Sequence, residues 1–358
     1  MEFGLSPEES ALQESVFRYL ESTFPLHAIK KITESGAPFS SDAWHGFADL
    51  GALSIAIPES HGGSGLGFFS LALAAEGLGA FAAPLPALGS MAASLAIAEA
   101  GSEEEKSRWL PKIAQGETKF GLVLSEAAGA REDAGVRAEG KKLFGRALFV
   151  MDGPLADQLL VSAGKKLFIV PAKGEGMESR TLSTIDKTRG FSEVRFSGAL
   201  GEPLAQASEE TTERLLSACR VLLAADTLGA AQTMLNRAVA YALERKQFDR
   251  VIASFQAVKH LLAEMAAMIE PARALVMYAA YAWENIPQEA KKMACHAKAH
   301  LAEIGREVAR MSTEVHGGIG FTYDLGLHFW FKRIGVNREL LGTPETVREE
   351  AARCEGWI

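Results

Sequence analysis

A chain of 358 residues with 48% hydrophobic and 23% charged side chains is long enough for two or three packed units and too apolar for global disorder. Its net charge of −8 is spread without long runs of one sign, which leaves no basic stripe for a nucleic-acid backbone and argues against such a partner. Cys219, Cys295 and Cys354 are few, odd in number and far apart, which argues against a secreted disulfide framework and for a reducing compartment.

The N-terminal segment mixes acidic with apolar residues and lacks the basic and apolar regions of a signal peptide, so the expected location is cytoplasmic. Ser6-Pro7-Glu8-Glu9 reads as a helix start, with Ser as N-cap, Pro in the first turn and Glu three residues after the cap. A second helix is expected from Asp42 to Ala52. The run from His61 to Gly67 is a loop, and helices follow over Phe68 to Ala82, from Pro86 to about Ala100, and over Glu103 to Ala114. The apolar stretch Phe68 to Ala98 is interrupted by Glu76, Pro84 and Pro86, so it predicts no membrane span.

Beyond Thr118 the pattern changes to short runs rich in Val, Phe and Leu between Gly, Asp and Lys clusters. The runs Phe120 to Leu124, Leu148 to Met151, Gln158 to Ser162, Leu167 to Pro171 and Ser192 to Phe196 predict five or more antiparallel strands. Helical periodicity returns near Glu209. A helix is expected over Thr211 to Glu244. Two apolar stripes follow, one of Val251, Phe255, Val258, Leu262 and Met265, the other of Leu301, Ile304, Val308, Met311 and Val315. Together they predict an antiparallel four-helix bundle. The expected class is α+β, with a helical domain over residues 1–117, an antiparallel β-domain over 118–206 and a helical bundle over 207–358. His296 and His300 share one helical face, but with Lys298 between them and no zincin-type Glu the face reads as solvated and not as a metal site. Lys106 to Lys112 and Lys291-Lys292 read as surface charges.

Two connectors carry chemistry. Arg245-Lys246-Gln247-Phe248 precedes Ser254-Phe255-Gln256-Ala257-Val258-Lys259-His260, and His316-Gly317-Gly318-Ile319-Gly320-Phe321-Thr322 lies downstream. An Arg at a helix end clamps a phosphate, and a Gly-Gly turn presents bare N–H groups, so the pair suits a pyrophosphate. A Gly-Gly turn by itself is only a tight connector. These motifs, with Ala43 to Gly67, Gly101 to Glu117, Leu122 to Glu126 and Asp186-Lys187-Thr188-Arg189, resemble the acyl-CoA dehydrogenase family over nearly the whole chain.

The resemblance implies a helical domain, a β-domain and a four-helix bundle, assembled as a homo- or heterotetramer. It also implies FAD, an acyl-CoA thioester substrate, and an electron acceptor such as an electron-transfer flavoprotein. Carried over by position, it assigns the cofactor to Arg245, Phe248, Gln256, Gly317 and Gly318, the residues that reach the FAD of a neighbouring subunit, and to Thr343 and Ser125. It gives Glu314 where many relatives have Gln. In most members a Glu before Gly-Thr removes the substrate's α-proton, and ungapped counting from Gly317 puts Leu341 there. A second group, typified by isovaleryl-CoA dehydrogenase, carries the base before an Arg on the long helix, where this chain has Cys219-Arg220. A hydrocarbon accepts no proton. Glu339 is a weak substitute, two residues and about 200° around a helix from Leu341. Where relatives place Trp-Ile-Thr against the flavin, this chain has Phe149-Val150-Met151. The expectation is a non-catalytic, FAD-supporting subunit beside a Glu-bearing paralogue, of the heteromeric kind known among bacterial sterol side-chain oxidising members. The alternatives are an active homotetramer with a non-standard base and a structural homologue without activity.

Overall fold

The computed structural model describes residues 4–36, 39–124 and 134–358. The chain begins with six helices: α1 (Pro7–Thr23), α2 (Leu26–Glu34), α3 (Ser41–Asp49), α4 (Gly67–Ala80), α5 (Ala87–Ala100) and α6 (Glu103–Ala114). Ser6 and Ser102 each form a capping box, with Glu9 and Glu105 as the reciprocal partners. These satisfy N–H groups that the first helical turn leaves unpaired. α2 was not expected from the sequence. Nine residues with a single fully buried position, Ile29, give too short a stripe to register as periodic.

The strands are β1 (Phe120–Val123), β2 (Gly135–Glu139), β3 (Lys142–Met151), β4 (Gln158–Ala163), β5 (Lys166–Pro171), β6 (Met177–Leu182), β7 (Phe191–Leu200) and β8 (Glu202–Pro203). They form one sheet in the order β6-β7-β3-β1-β4-β5-β8, with β2 also paired to β3. The expected all-antiparallel pairing needs correction, because β1 runs parallel to β4, with Phe120 opposite Gln158 and Val123 opposite Val161. Chain order alone does not reveal this. β1 is antiparallel to β3 and so lies alongside the strand after it. β2 and β6 escaped the sequence reading because they are largely polar; β6 exposes four of its six residues.

The bundle contains α7 (Glu209–Glu244), α8 (Gln256–Asn285) and α9 (Pro287–His316), followed by the shorter α10 (His328–Glu339) and α11 (Pro344–Cys354). Between α7 and α8 a small hairpin pairs β9 (Lys246–Gln247) with β10 (Arg250–Val251). Val251 therefore belongs to a strand and Phe255 is the N-cap of α8, so the first stripe starts only at Val258. The second stripe is buried throughout on α9.

One buried polar cluster keys the three domains together. Asp226 of α7 accepts from Arg333 Nε (3.0 Å) and Nη2 (2.8 Å) on α10, and from Asn337 Nδ2 (2.7 Å). Arg189, from the loop before β7, brings Nη2 within 2.7 Å of the same carboxylate. Arg333 also donates to Thr188 Oγ1 and to the Ala83 carbonyl ahead of α5. Burial raises the cost of ionising Asp226, but the adjacent Arg189 and Arg333 charges and these hydrogen bonds outweigh it and hold the carboxyl below its usual range.

Candidate functional site at the bundle end and the 340–343 loop

The ends of α7 and α9 meet at one pole of the bundle. Tyr241 and His316 stack there with ring centres 4.8 Å apart. Arg245 caps α7, and the turn of the β9–β10 hairpin passes through Phe248 and Asp249 at φ 51° and 61°. Phe248 stands 87% exposed. Gln256 opens α8 on the surface and bonds His260 at 3.0 Å. Gly317 ends α9 at φ 65°, and a Cβ on Gly317 or Gly318 would meet nothing within 4 Å. An L side chain is strained at that φ, so glycine is needed; its N–H closes α9 onto the Thr313 and Glu314 carbonyls, while the missing Cβ leaves the backbone open to close approach.

These residues fit an anionic dinucleotide. Arg245 is exposed and makes no ion pair among the described residues, so its guanidinium is free to fork onto a phosphate. Glu314, the substitution that would repel a pyrophosphate, is exposed and paired with Arg310 Nη1 at 3.1 Å, so its charge is already countered. The structure thus brings together Arg245, Phe248, Gln256, Gly317 and Gly318 at one pole.

The other expected contacts do not converge as well. Ser125 lies outside the described residues, as does the run from Glu126 to Arg131. Met151 is 3% exposed and packs into the main core. Phe149 occupies an irregularity in the β3–β7 register at φ 52°, half exposed. Thr343 is the N-cap of α11, where its hydroxyl accepts from Thr346 N.

At the positions of the familiar bases the structure offers no proton acceptor. Leu341 is 7% exposed and sits at φ 56°. Its carbonyl accepts from Arg220 Nε at 2.9 Å. Cys219 is buried, and burial pushes its thiol up to about 12, so it is no thiolate at neutral pH. Glu339 projects to the surface and pairs with Arg338 Nη1 at 2.5 Å, which removes it as a base for a buried substrate. The carboxylate that reaches this corner is Glu350 of α11, which sequence reasoning missed. It grips Arg220 with two hydrogen bonds of 2.7 and 2.8 Å. A carboxylate held by both oxygens in an Arg fork is poorly placed to take a proton.

Lys298 corrects the reading of the His296/His300 face. Two residues along a helix is about 200° around it, so the lysine points inward while the histidines do not. It is 2% exposed, and Nζ donates to the Arg338 and Gly342 carbonyls at 2.9 and 3.2 Å. Arg220 and Lys298 therefore clamp the 340–343 loop from two sides. Burial pushes Lys298 down from 10.5 to about 7, with Arg220 adding to the shift. A lysine that folds with a lowered pKa makes the native state costly where both states are protonated, below about 7; the cost is relieved as pH rises toward 10.5. Stability of the protein is expected to rise with pH across that window. Lys298→Met should flatten the slope in urea titrations run at several pH values, and an unchanged slope would remove Lys298 as its source.

The fold has well-defined counterparts. The acyl-CoA dehydrogenase N-terminal domain model matches residues 6–117 and the acyl-CoA dehydrogenase C-terminal domain model matches residues 210–354. Acyl-CoA dehydrogenase IpdE2 of Mycolicibacterium smegmatis is 28% identical over 355 residues, covering 99% of this chain and 100% of that protein. A 3-(aryl)acrylate reductase of Clostridium sporogenes is 33% identical, covering 68% of this chain and 71% of the reductase. Among solved structures, the ChsE4-ChsE5 complex from Mycobacterium tuberculosis contains a chain with a TM-score of 0.92 and 26% identity, covered fully on both sides. No helix among the described residues is long and apolar enough to cross a membrane.

Proposed function

The chain belongs to the acyl-CoA dehydrogenase family, and we propose that it is the non-catalytic, FAD-supporting subunit of a heteromeric enzyme that oxidises an acyl-CoA thioester. One observation carries this reading. The pole that would hold a neighbour's cofactor is open and chemically suited to it, whereas both base positions are filled by a core leucine and a buried thiol.

FAD, when bound, supplies the hydride acceptor for the oxidation. This chain's own contribution is binding and orientation. Arg245 offers parallel N–H donors to the pyrophosphate, the side-chain-free turn at Gly317-Gly318 lets the cofactor approach the backbone closely, and Phe248 provides an aromatic face. Removal of the α-proton requires a positioned carboxylate, and Glu339 and Glu350 are both committed to arginines. That step falls to a Glu-bearing paralogue. The relative found in the ChsE4-ChsE5 complex supports a mixed assembly, and IpdE2 supports an acyl-CoA dehydrogenase context.

The test is expression of the chain alone and together with a Glu-bearing paralogue. Alone, it should retain little FAD and fail to bleach flavin absorbance with any acyl-CoA. Co-expressed, the two should purify together with FAD and reduce it. Stoichiometric FAD in the isolated chain, bleached by an acyl-CoA, would sink the companion-subunit reading in favour of an active homotetramer.

A further inference from the structure

The first turn of α5 has no cap of its own. Its N-cap is Pro86, which offers no side-chain acceptor, and the N–H of Gly89 is satisfied from another domain, by Asp152 Oδ2 at 3.0 Å. Asp152 follows β3 in the left-handed region at φ 59°, and its own N–H donates to the Gly190 carbonyl at 2.9 Å, which anchors it beneath the helix end. Strand β1 closes the joint. Phe120 N donates to Ser90 Oγ at 3.1 Å, and a Cβ on Gly89 would come within 2.1 Å of the Phe120 carbonyl oxygen. A buried carboxyl therefore sits in the seam between the helical domain and the sheet.

Asp152 also enters the charge balance of the cluster that joins the domains. The Arg189 and Arg333 charges act on it as they do on Asp186 and Asp226, and all five side chains are buried. Three carboxyls face two guanidiniums, so full ionisation leaves one negative charge uncompensated and away from water, which is costly. The first turn of α5, strand β1 and residues 153–155 bring no charged side chain to offset it. Hydrogen bonds decide which carboxyl gives way. Asp226 accepts from Arg333 and Asn337 and faces Arg189, and Asp186 accepts twice from Thr188. Asp152 accepts once among the described residues, from the Gly89 N–H, and is the least supported as an anion. Burial pushes it up from 3.8 to about 6, against the opposing pull of that N–H and of the two arginines.

We infer that Asp152 is a proton-uptake site that tightens the joint between α5 and the β-domain on mild acidification. Opening the joint returns the carboxyl to water, where it is more acidic, so the closed joint holds the proton more firmly than the open one. The stabilisation is complete below 3.8, where both states are protonated, and is lost as pH rises through about 6. Lys298 acts in the opposite sense and in a higher window, so the two effects separate by pH. Neither the cofactor nor a companion subunit takes part.

Asp152→Asn keeps the shape and an oxygen for the Gly89 N–H but cannot titrate. In urea titrations of the full chain, its folding constant relative to the wild type should rise by roughly 50- to 100-fold between about pH 4 and about pH 7, as a shift of about two units requires. A ratio that stays flat overturns the proposal. Infrared spectra of wild-type protein carrying carbon-13-labelled aspartate give a reading that does not rely on the variant's stability. A protonated-carboxyl band should be present below pH 6, fade above it, and be missing from Asp152→Asn. A band that survives in Asp152→Asn, or that disappears in Asp186→Asn instead, overturns the assignment. Hydrogen exchange reads the joint itself. After correction for intrinsic rates, the amides of residues 89–91 should be better protected below pH 6 than above it in the wild type, and equally protected on both sides in Asp152→Asn. Protection in the wild type that does not change across pH 6 overturns the coupling to α5.

Discussion

Asp226→Ala is expected to destabilise the protein by about 3–5 kcal/mol, the usual cost of removing one partner from a buried ion pair and leaving the other charged. Here two charges are stranded. Arg189 and Arg333 both lie against this carboxylate and are almost fully buried, at 5% and 1% exposure. Arg333→Met should cost less, because Asp226 keeps Arg189 and Asn337. Because the cluster joins all three domains, the loss should appear as an earlier urea transition by both circular dichroism and tryptophan fluorescence. If the arginine variant proves the more damaging, the carboxylate is not the hub of the cluster.

Arg245→Ala, measured on the assembly with a Glu-bearing partner, is expected to weaken FAD retention by about 10- to 150-fold. That range follows from roughly 1.5–3 kcal/mol for a hydrogen bond to a charged group. The fold itself should be unaffected, because the side chain is exposed and free of ion pairs among the described residues. Flavin absorbance after repeated ultrafiltration reads the effect directly. Undiminished retention would mean that the bundle pole does not hold the cofactor and would remove the main support for a companion subunit. Gln256→Ala should have a smaller effect, since its amide is neutral and already bonded to His260.

Much of this molecule could be read in advance wherever the signal was local. The capping pattern at Ser6 announced α1, and the period-3.6 stripe on α9 was buried as expected. The Arg245 and Gly317 segments stood out in the sequence because a cation at a helix end and glycines in a turn form a local pattern, and packing places them at one pole. The readings failed where a distant partner set the outcome. Lys298 looked like part of a solvated face until α10 supplied two carbonyls for its ammonium. Glu350 gave no sign that it would meet an arginine 130 positions earlier. The parallel β1–β4 pair likewise depends on which strand edges meet in space.

The amino-acid sequence by itself determined the family, the order of three domains and the presence of Leu341 and Cys219 where the family likeness leads one to expect a base, and residue identity alone decides whether a side chain can take a proton. Only the tertiary structure decided whether Glu339, Glu350 and Cys219 were free to take a proton. Basicity depends on exposure and on charge partners, and these arise when α7, α10 and α11 pack together. Packing placed Glu339 on Arg338 at the surface and locked Glu350 onto Arg220. It also buried Cys219 where its thiol stays protonated.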